Sequence, residues 1–392
     1  MHRKFVTAIG VGAGALLALT ACSSSSSTTT APASSAPAAT SAAATASASA
    51  AASTGGASSI VGSSSFNDTA LEALTTKIQG AIGSKSLSGV KIAFVTNGNS
   101  AYWNEAKAGW NAAMKWLSAK GASGTFQEPT ASEASVQVSL LETDSAQGYT
   151  GWGVSAVTAS SLTTPIAAAV AKGLSVVAYD SPLPGTAAQL YIGTPNTDAG
   201  CDAGKAMTQA IGSGDVVAIS GSWTAANTQQ RVAGFEQCAG SGIKVVQKLN
   251  DNQDVATAVS DLQASLQANS SIKGIYAVYS YDGGAAGQAV TSANDVGKVT
   301  IVSDDGEQNT INDVKSGVIA ASILQRPYYQ GFMTAYVLAA DKALGDSATL
   351  ALVKPYFVPG PGNTLSTGVG IMTKANESDF ASFWSSIGIS AQ

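Results

Sequence analysis

From Val90 onward, short β-branched runs alternate with longer segments of helical periodicity, and this alternation constrains the fold more than any other feature. Residues 90–95 (Val-Lys-Ile-Ala-Phe-Val) predict a strand. Apolar residues then recur at Trp103, Ala106, Trp110, Met114 and Leu117, the spacing of a helix over 103–119. Strands are expected at 153–158 and 175–179, with a helix at 163–172 between them. After Gly193-Thr194-Pro195 the pattern restarts. Helices at 198–211, 224–239, 254–268 and 284–294 interleave with strands at 215–220, 243–249, 273–279 and 298–303. Strands separated by helices form parallel sheets covered on both faces. Two such runs predict an α/β chain of two doubly wound parallel-sheet lobes. In open sheets of this kind a ligand sits beyond the carboxyl ends of the strands, so those ends are where function should be sought.

The chain ahead of this body carries an address rather than a fold. Met1-His2-Arg3-Lys4, an apolar stretch to Leu19 and then Thr20-Ala21-Cys22 have the parts of a secretory signal. The stretch is too short and glycine-rich for a good membrane span. Leu19-Thr20-Ala21-Cys22 resembles the lipobox of bacterial lipoproteins, and the serine run after it favours a lipidated Cys22 over an ordinary signal with an incidental cysteine. Residues 23–65, rich in Ser, Thr, Ala, Pro and Gly and without charge, cannot bury a core and read as a tether.

Several chemistries are excluded by what the chain lacks. The single histidine, His2, lies in the leader, so the body has no Ser-His-Asp triad, no Cys-His pair and almost no route to a zinc site. Net charge is -5 with no basic block after the leader, which makes nucleic acid a poor partner. Gly10, Gly12 and Gly14 fall in the leader, and the run from Asp282 to Gly287 has the wrong glycine spacing for a dinucleotide loop. No cofactor or metal is expected. Cys201 and Cys238 remain as an even pair, for which a disulfide is the default in an exported protein.

The strand ends carry a coherent polar and aromatic set. Asn99-Ser100-Ala101-Tyr102-Trp103 follows the first strand, and Asp180 ends the run 175–179. Ala226 to Arg231, Asp251-Asn252-Gln253-Asp254, Tyr281-Asp282, Asp304-Asp305-Gly306 and Gln325-Arg326-Pro327 follow the strands of the second run. Over residues 88–372 this ordered set resembles the ribose/galactose class of periplasmic binding proteins. Arg231-Val232-Ala233-Gly234-Phe235 is similar to that family's Arg-x-x-Gly-Phe, and Gln325-x-Pro327-Tyr328-x-x-Gly331 to its hinge motif. The resemblance implies the type I fold, with three crossings near 193–195, 325–327 and 358–367. The lobes would be 66–194 with 326–362, and 195–325 with 363–392.

It also implies ligand contacts from Ser100, Tyr102, Trp103, Asp180, Arg231, Asp305 and Gln325, with Asn252 and Tyr281 in the family's other contacting segments. Aromatic faces suit the C–H faces of a sugar, and carboxylates, amides and a guanidinium suit its hydroxyl rim. Trp110 reads as core, while Trp152 and Trp223 lie near expected cleft loops. One departure is Ser181-Pro182 after Asp180, where ribose-type members carry arginine. With residues 127–130 it points away from ribose toward polyols, deoxysugars or furanose-like molecules. The implied protein is a lipid-anchored, extracytoplasmic, monomeric sugar-binding partner of an ABC permease and its ATPase, or else a sensor feeding a membrane receptor. An exported hydrolase using Asp180 and Asp305 is the competing enzyme reading. An open cleft would leave Arg231 hydrated, so it is expected to matter for binding and little for stability.

Overall fold

The computed structural model describes residues 68–358 and 362–391. The leader, Cys22 and the tether lie outside them. Helix α1 (Asp68–Ile82) seals the first lobe by burying Leu71, Leu74, Ile78 and Ile82, three or four residues apart on one face. The chain then alternates β1 (Lys91–Val95), α2 (Trp103–Ser118), β2 (Ser123–Gln127), α3 (Ala134–Ala146), β3 (Gly151–Val154), α4 (Ala159–Ala171), β4 (Ser175–Tyr179) and β5 (Tyr191–Gly193). It crosses to a second lobe of α5 (Asn196–Ile211), β6 (Gly214–Ser220), α6 (Ala226–Cys238), β7 (Ile243–Asn250), α7 (Val255–Ala268), β8 (Ile272–Ala277), α8 (Asp282–Ser292), β9 (Thr300–Asp304), α9 (Gln308–Ser316) and β10 (Ile319–Leu324). Returning, it adds α10 (Pro327–Leu344), α11 (Asp346–Val353) and β11 (Thr364–Ser366) to the first lobe, then β12 (Gly370–Met372) and α12 (Glu377–Ser386) to the second.

The first sheet runs β2-β1-β3-β4-β5-β11 with every pair parallel. The second runs β7-β6-β8-β9-β10-β12, parallel except for the β10–β12 edge. Both are buried beneath helices on two faces, as the continuous apolar strands require. No helix among the described residues is long and apolar enough to cross a membrane.

Two differences from the sequence reading have physical reasons. The strand expected at 153–158 lies earlier, at Gly151–Val154, and includes two glycines that sequence preference places elsewhere. A Cβ at Gly153 would sit 2.3 Å from Thr334 Cγ2, so the glycine is what lets α10 lie on the sheet. The division expected at 362/363 puts residues 364–366 in the second lobe, whereas they pair with β5 in the first sheet and the last crossing falls between Ser366 and Gly370.

Glycines also set how closely helices pair. A Cβ at Gly109 of α2 would meet Tyr328 O at 1.8 Å, and one at Gly331 of α10 would meet Ala106 O at 2.0 Å. In the second lobe, a Cβ at Gly200 of α5 would meet Arg231 O at 1.8 Å, and one at Gly234 of α6 would meet Thr197 O at 2.1 Å. Gly234 and Gly331, two residues of the quoted motifs, are thus helix-crossing residues. The α5–α6 pair is further tied by a disulfide between Cys201 and Cys238, with Cα atoms 4.9 Å apart.

Candidate functional site

The three crossings lie side by side. Thr194 Oγ1 donates to Gln325 Oε1 at 2.9 Å, joining the first to the second, and Thr367 N donates to Gly193 O at 3.0 Å, joining the third to the first. Above them, the carboxyl ends of both sheets face one cavity between the lobes. From the first lobe it is lined by Asn97, Ser100, Tyr102, Trp103 and Asp180; from the second by Asn227, Arg231, Gln253, the run 278–281 and Asp305; Gln325 lies at the crossing. The lobes also touch directly. Ser132 Oγ donates to Gln253 Oε1 at 2.6 Å, and Thr158 and Thr224 hydroxyls lie 3.2 Å apart. Behind the crossings, Trp384 Nε1 of α12 donates to Glu105 Oε2 of α2 at 2.9 Å.

Asp180 follows β4 and Asp305 follows β9, the fourth strand from β2 and from β7 in their respective sheets. Both have left-handed backbone, φ 54° and 65°. Such a conformation costs a non-glycine residue about 1 kcal/mol or more and persists where the surroundings demand a particular side-chain direction. Asp180 accepts from Ser155 Oγ at 2.6 Å and from Tyr102 OH at 3.2 Å. Asp305 accepts from Gln325 Nε2 at 3.1 and 3.3 Å. Trp103 sits edge-on to Tyr102 and Tyr179, with ring centroids 4.8 and 5.9 Å apart, so one ring serves the core stripe and the cavity wall together.

Arg231 comes from the first turns of α6. Its Nη1 lies 3.2 Å from Asp304 Oδ2, 3.3 Å from Val278 O and 4.0 Å from Asp305 Oδ2, while Nε donates to Asn196 Oδ1 at 3.0 Å. Arg231 is 2% exposed and Asp304 1%. Sequence reasoning expected a hydrated Arg231; burial of its carboxylate partner within the same lobe makes it part of the fold. Burial raises Asp304 to about 6 and Asp305 to about 8, with Arg231 opposing in both cases. Burial raises Asp180 as well, opposed by Ser155 and Arg231.

Eight of the nine expected ligand residues line this cavity. The exception is Asn252, which is exposed. Asn252 and Gln253 both have positive φ, 55° and 63°, and this double turn brings Gln253 to the cavity in place of its neighbour. Asn227, four residues before Arg231 on α6, is a lining residue that helical spacing alone could have found. Asn97 and Val278 to Ser280 carried no comparable signal. Trp110 is core, and Trp152 is buried under β3 away from the cavity. Trp223 donates to Leu249 O at 2.8 Å and does not line the cavity either.

Gln127 binds Asp144 and Glu128 pairs with Lys107, so these two side chains also turn elsewhere. In the run from Asp282 to Gly287, Gly283, Gly284 and Gly287 pack against Thr310, Asn309 and Asp313, which is helix packing rather than a phosphate loop. A larger recess of about 660 Å³ opens beside the first crossing, but Asp198 is the one charged residue among its described walls. It lacks the opposed carboxylates and guanidinium of the interlobe cavity.

Residues 90–344 match the family described as periplasmic binding protein domain. The chain is 26% identical over 213 residues to the D-allose-binding periplasmic protein of Escherichia coli (strain K12), spanning 52% of this chain and 68% of that protein. An ABC transporter solute-binding protein from Burkholderia graminis, solved with D-arabinose, superposes with TM-score 0.66 at 26% identity, covering 74% of this chain and 98% of that one. One from Agrobacterium vitis, solved with D-fucose, gives 0.64 at 27% identity, covering 73% and 96%.

Proposed function

The chain belongs to the periplasmic binding protein domain family, and from that premise we propose that it captures a monosaccharide or related polyol between its lobes and presents it to an ABC permease and its ATPase. The observation that carries the proposal is the opposed pair Asp180 and Asp305, one from each lobe, facing a cavity walled by Tyr102 and Trp103 and reached by Arg231. Carboxylates accept from hydroxyls, the guanidinium donates, and rings cover a C–H face. The bound solute relatives named above are neutral sugars, D-arabinose and D-fucose. In this reading the carboxylates hold the sugar and do not cleave it. The leader and its Cys22 would anchor the protein to the outer face of the membrane, leaving a monomeric body on a tether.

The experiment is a thermal-shift screen of the ligand-free protein against pentoses, hexoses, deoxysugars and polyols, followed by recovery of the bound compound. The expected result is stabilisation by at least one neutral member, recovered chemically unchanged. No stabilisation across the panel at millimolar concentrations would overturn sugar capture, and a cleaved product would replace it with the hydrolase reading.

A further inference from the structure

We infer that Asp304 is a positioning residue for ligand capture: standing behind the cavity wall, it fixes the Arg231 guanidinium so that Nη2 is the nitrogen offered to the ligand. The inference rests on the sugar-binding reading of the cavity.

Arginine has five N–H groups in a rigid fork, and the structure accounts for three of them. Nε–H goes to Asn196 Oδ1, and the Nη1 hydrogens go to Val278 O and Asp304 Oδ2. Nη2 is buried and has no partner among the described residues, while Arg231 itself lines the cavity. Asp304 does not line it. Its Oδ2 accepts a second bond from Tyr276 OH at 3.0 Å, and Tyr276 is held in turn by stacking on Phe235, centroids 4.6 Å apart and planes 10° off parallel. The groups that hold the fork directly belong to the second lobe, Asn196 of α5, Val278 just after β8 and Asp304 of β9, and of these Asn196 also donates to Tyr191 OH of β5 in the first lobe.

The alternative partner shows why the arrangement matters. Asp305 Oδ2 lies 4.0 Å from Nη1, beyond hydrogen-bond reach, and Asp305 is a cavity carboxylate bound by Gln325. Without Asp304, Nη1 keeps only the neutral Val278 O and Asp305 becomes the nearest carboxylate, so the guanidinium can turn toward it and the two would satisfy each other instead of the ligand. Adjacent acids on one strand end thus divide the work. Asp304 keeps its strand direction toward α5 and α6, and the left-handed turn at Asp305 sends the next carboxylate into the cavity.

The test uses Asp304→Asn and, as the milder change, Tyr276→Phe, which removes one hydroxyl and keeps the ring stack. The Nη1 and Nη2 signals of Arg231, read by nitrogen-15 NMR on ligand-free protein, should be separate in the wild type, where rotation is blocked. They should merge in Asp304→Asn. Affinity for the best-bound of D-allose, D-arabinose and D-fucose should fall about 10- to 100-fold, as for a lost charged hydrogen bond. It should fall less in Tyr276→Phe. Adding Asp304→Asn to Arg231→Met should cause no further loss of affinity, because a positioning residue acts only through the group it positions. Separate signals and wild-type affinity in Asp304→Asn, or a fully additive double mutant, would overturn the inference. Merged signals in a protein that binds none of the sugars would uphold the positioning and remove the sugar reading instead.

Discussion

Replacing Arg231 by methionine keeps bulk and removes charge, and its effect on the ligand-free protein separates a structural ion pair from a hydrated binding group. At pH 7 an aspartate ordinarily near 3.8 but held at about 6, as Asp304 is, already costs about 3 kcal/mol, at about 1.36 kcal/mol per pH unit. Without Arg231 its pKa passes 7 and the carboxyl takes a proton, for a total of about 4.4 kcal/mol. The charge contribution to the mutant's deficit is therefore about 1.4 kcal/mol. Asp305, whose Oδ2 lies 4.0 Å from Nη1 and makes no hydrogen bond to it, adds little. Val278 O and Asn196 Oδ1 lose their donor, at about 1–1.5 kcal/mol each. The sum is about 4 kcal/mol, within the range for breaking a buried ion pair.

For a body of this size, at about 2.1 cal/mol/K of unfolding entropy per residue, that lowers Tm by about 6 °C. The sign with pH follows from linkage. A raised carboxyl contributes its stability below the unfolded pKa and loses it as pH rises through the folded one. At pH 5 Asp304 is largely protonated in both proteins, so the charge contribution vanishes and the gap narrows to about 4 °C. Melting followed by circular dichroism at the two pH values reads both numbers. An unchanged Tm at pH 7 would mean that Arg231 is solvated before ligand arrives, and a gap independent of pH would mean that Asp304 is not its partner.

Four further outcomes are expected. Reduction of the Cys201–Cys238 bond, which closes a 37-residue separation, should destabilise the protein by about 4 kcal/mol in the chain-entropy view; an unchanged denaturant midpoint with reductant would contradict this. Burial and then the facing Asp251 push Asp282 well above the usual carboxylate range, so wild-type stability should decline as pH rises from 4 to 8. Asp282→Asn, which needs no proton to donate, should flatten that decline, and parallel Tm profiles would count against a shared proton. Gly331→Ala pushes a Cβ to within 2.0 Å of Ala106 O and should cost about 1–3 kcal/mol by urea denaturation; a neutral result would mean that α10 can move off α2 freely. Cys22→Ala should release the protein from the membrane fraction, and a wild type already free in the medium would remove the anchor.

What could be read from the sequence followed from how much apolar surface each element buries on a regular period. β1, β4 and β6 are continuous apolar runs, and α2 presents a clear stripe, so both type and place were legible. β2, with the sequence Ser-Gly-Thr-Phe-Gln, is an edge strand with no residue fully buried, and it follows no apolar pattern. β3 is half glycine because α10, almost two hundred residues later, packs on it. That requirement is invisible until the two are brought together. The cavity's loops followed a simpler rule, that ligands sit at strand ends, and the family resemblance then singled out nine residues in them, eight of which line the cavity. Rule and resemblance together fix which loop is present and not which of two neighbours points inward, so Asn252 was taken for Gln253. Burial of Arg231 could not be read at all, because its partner Asp304 is recognisable only once β9 lies beside α6.

Each half of the cavity is held largely from within its own lobe. In the first lobe Asp180 is held by Ser155 and Tyr102, and in the second Arg231 is held by Asp304, Val278 and Asn196. Among the described residues, direct interlobe hydrogen bonds include Ser132 to Gln253 and Thr158 with Thr224 on the cleft side, Asn196 to Tyr191 OH beside the first crossing, and Trp384 to Glu105 behind. Most of the groups that set each half's side chains come from its own lobe, with Asn196 to Tyr191 OH the link between them beside the first crossing, and a ligand that touches both halves favours closure by its differential affinity for that state. Gln325 is where the two requirements meet. Its Oε1 accepts from Thr194 at the first crossing and its Nε2 donates to Asp305 in the cavity. The same amide thereby joins the first crossing to the carboxylate that a ligand would engage.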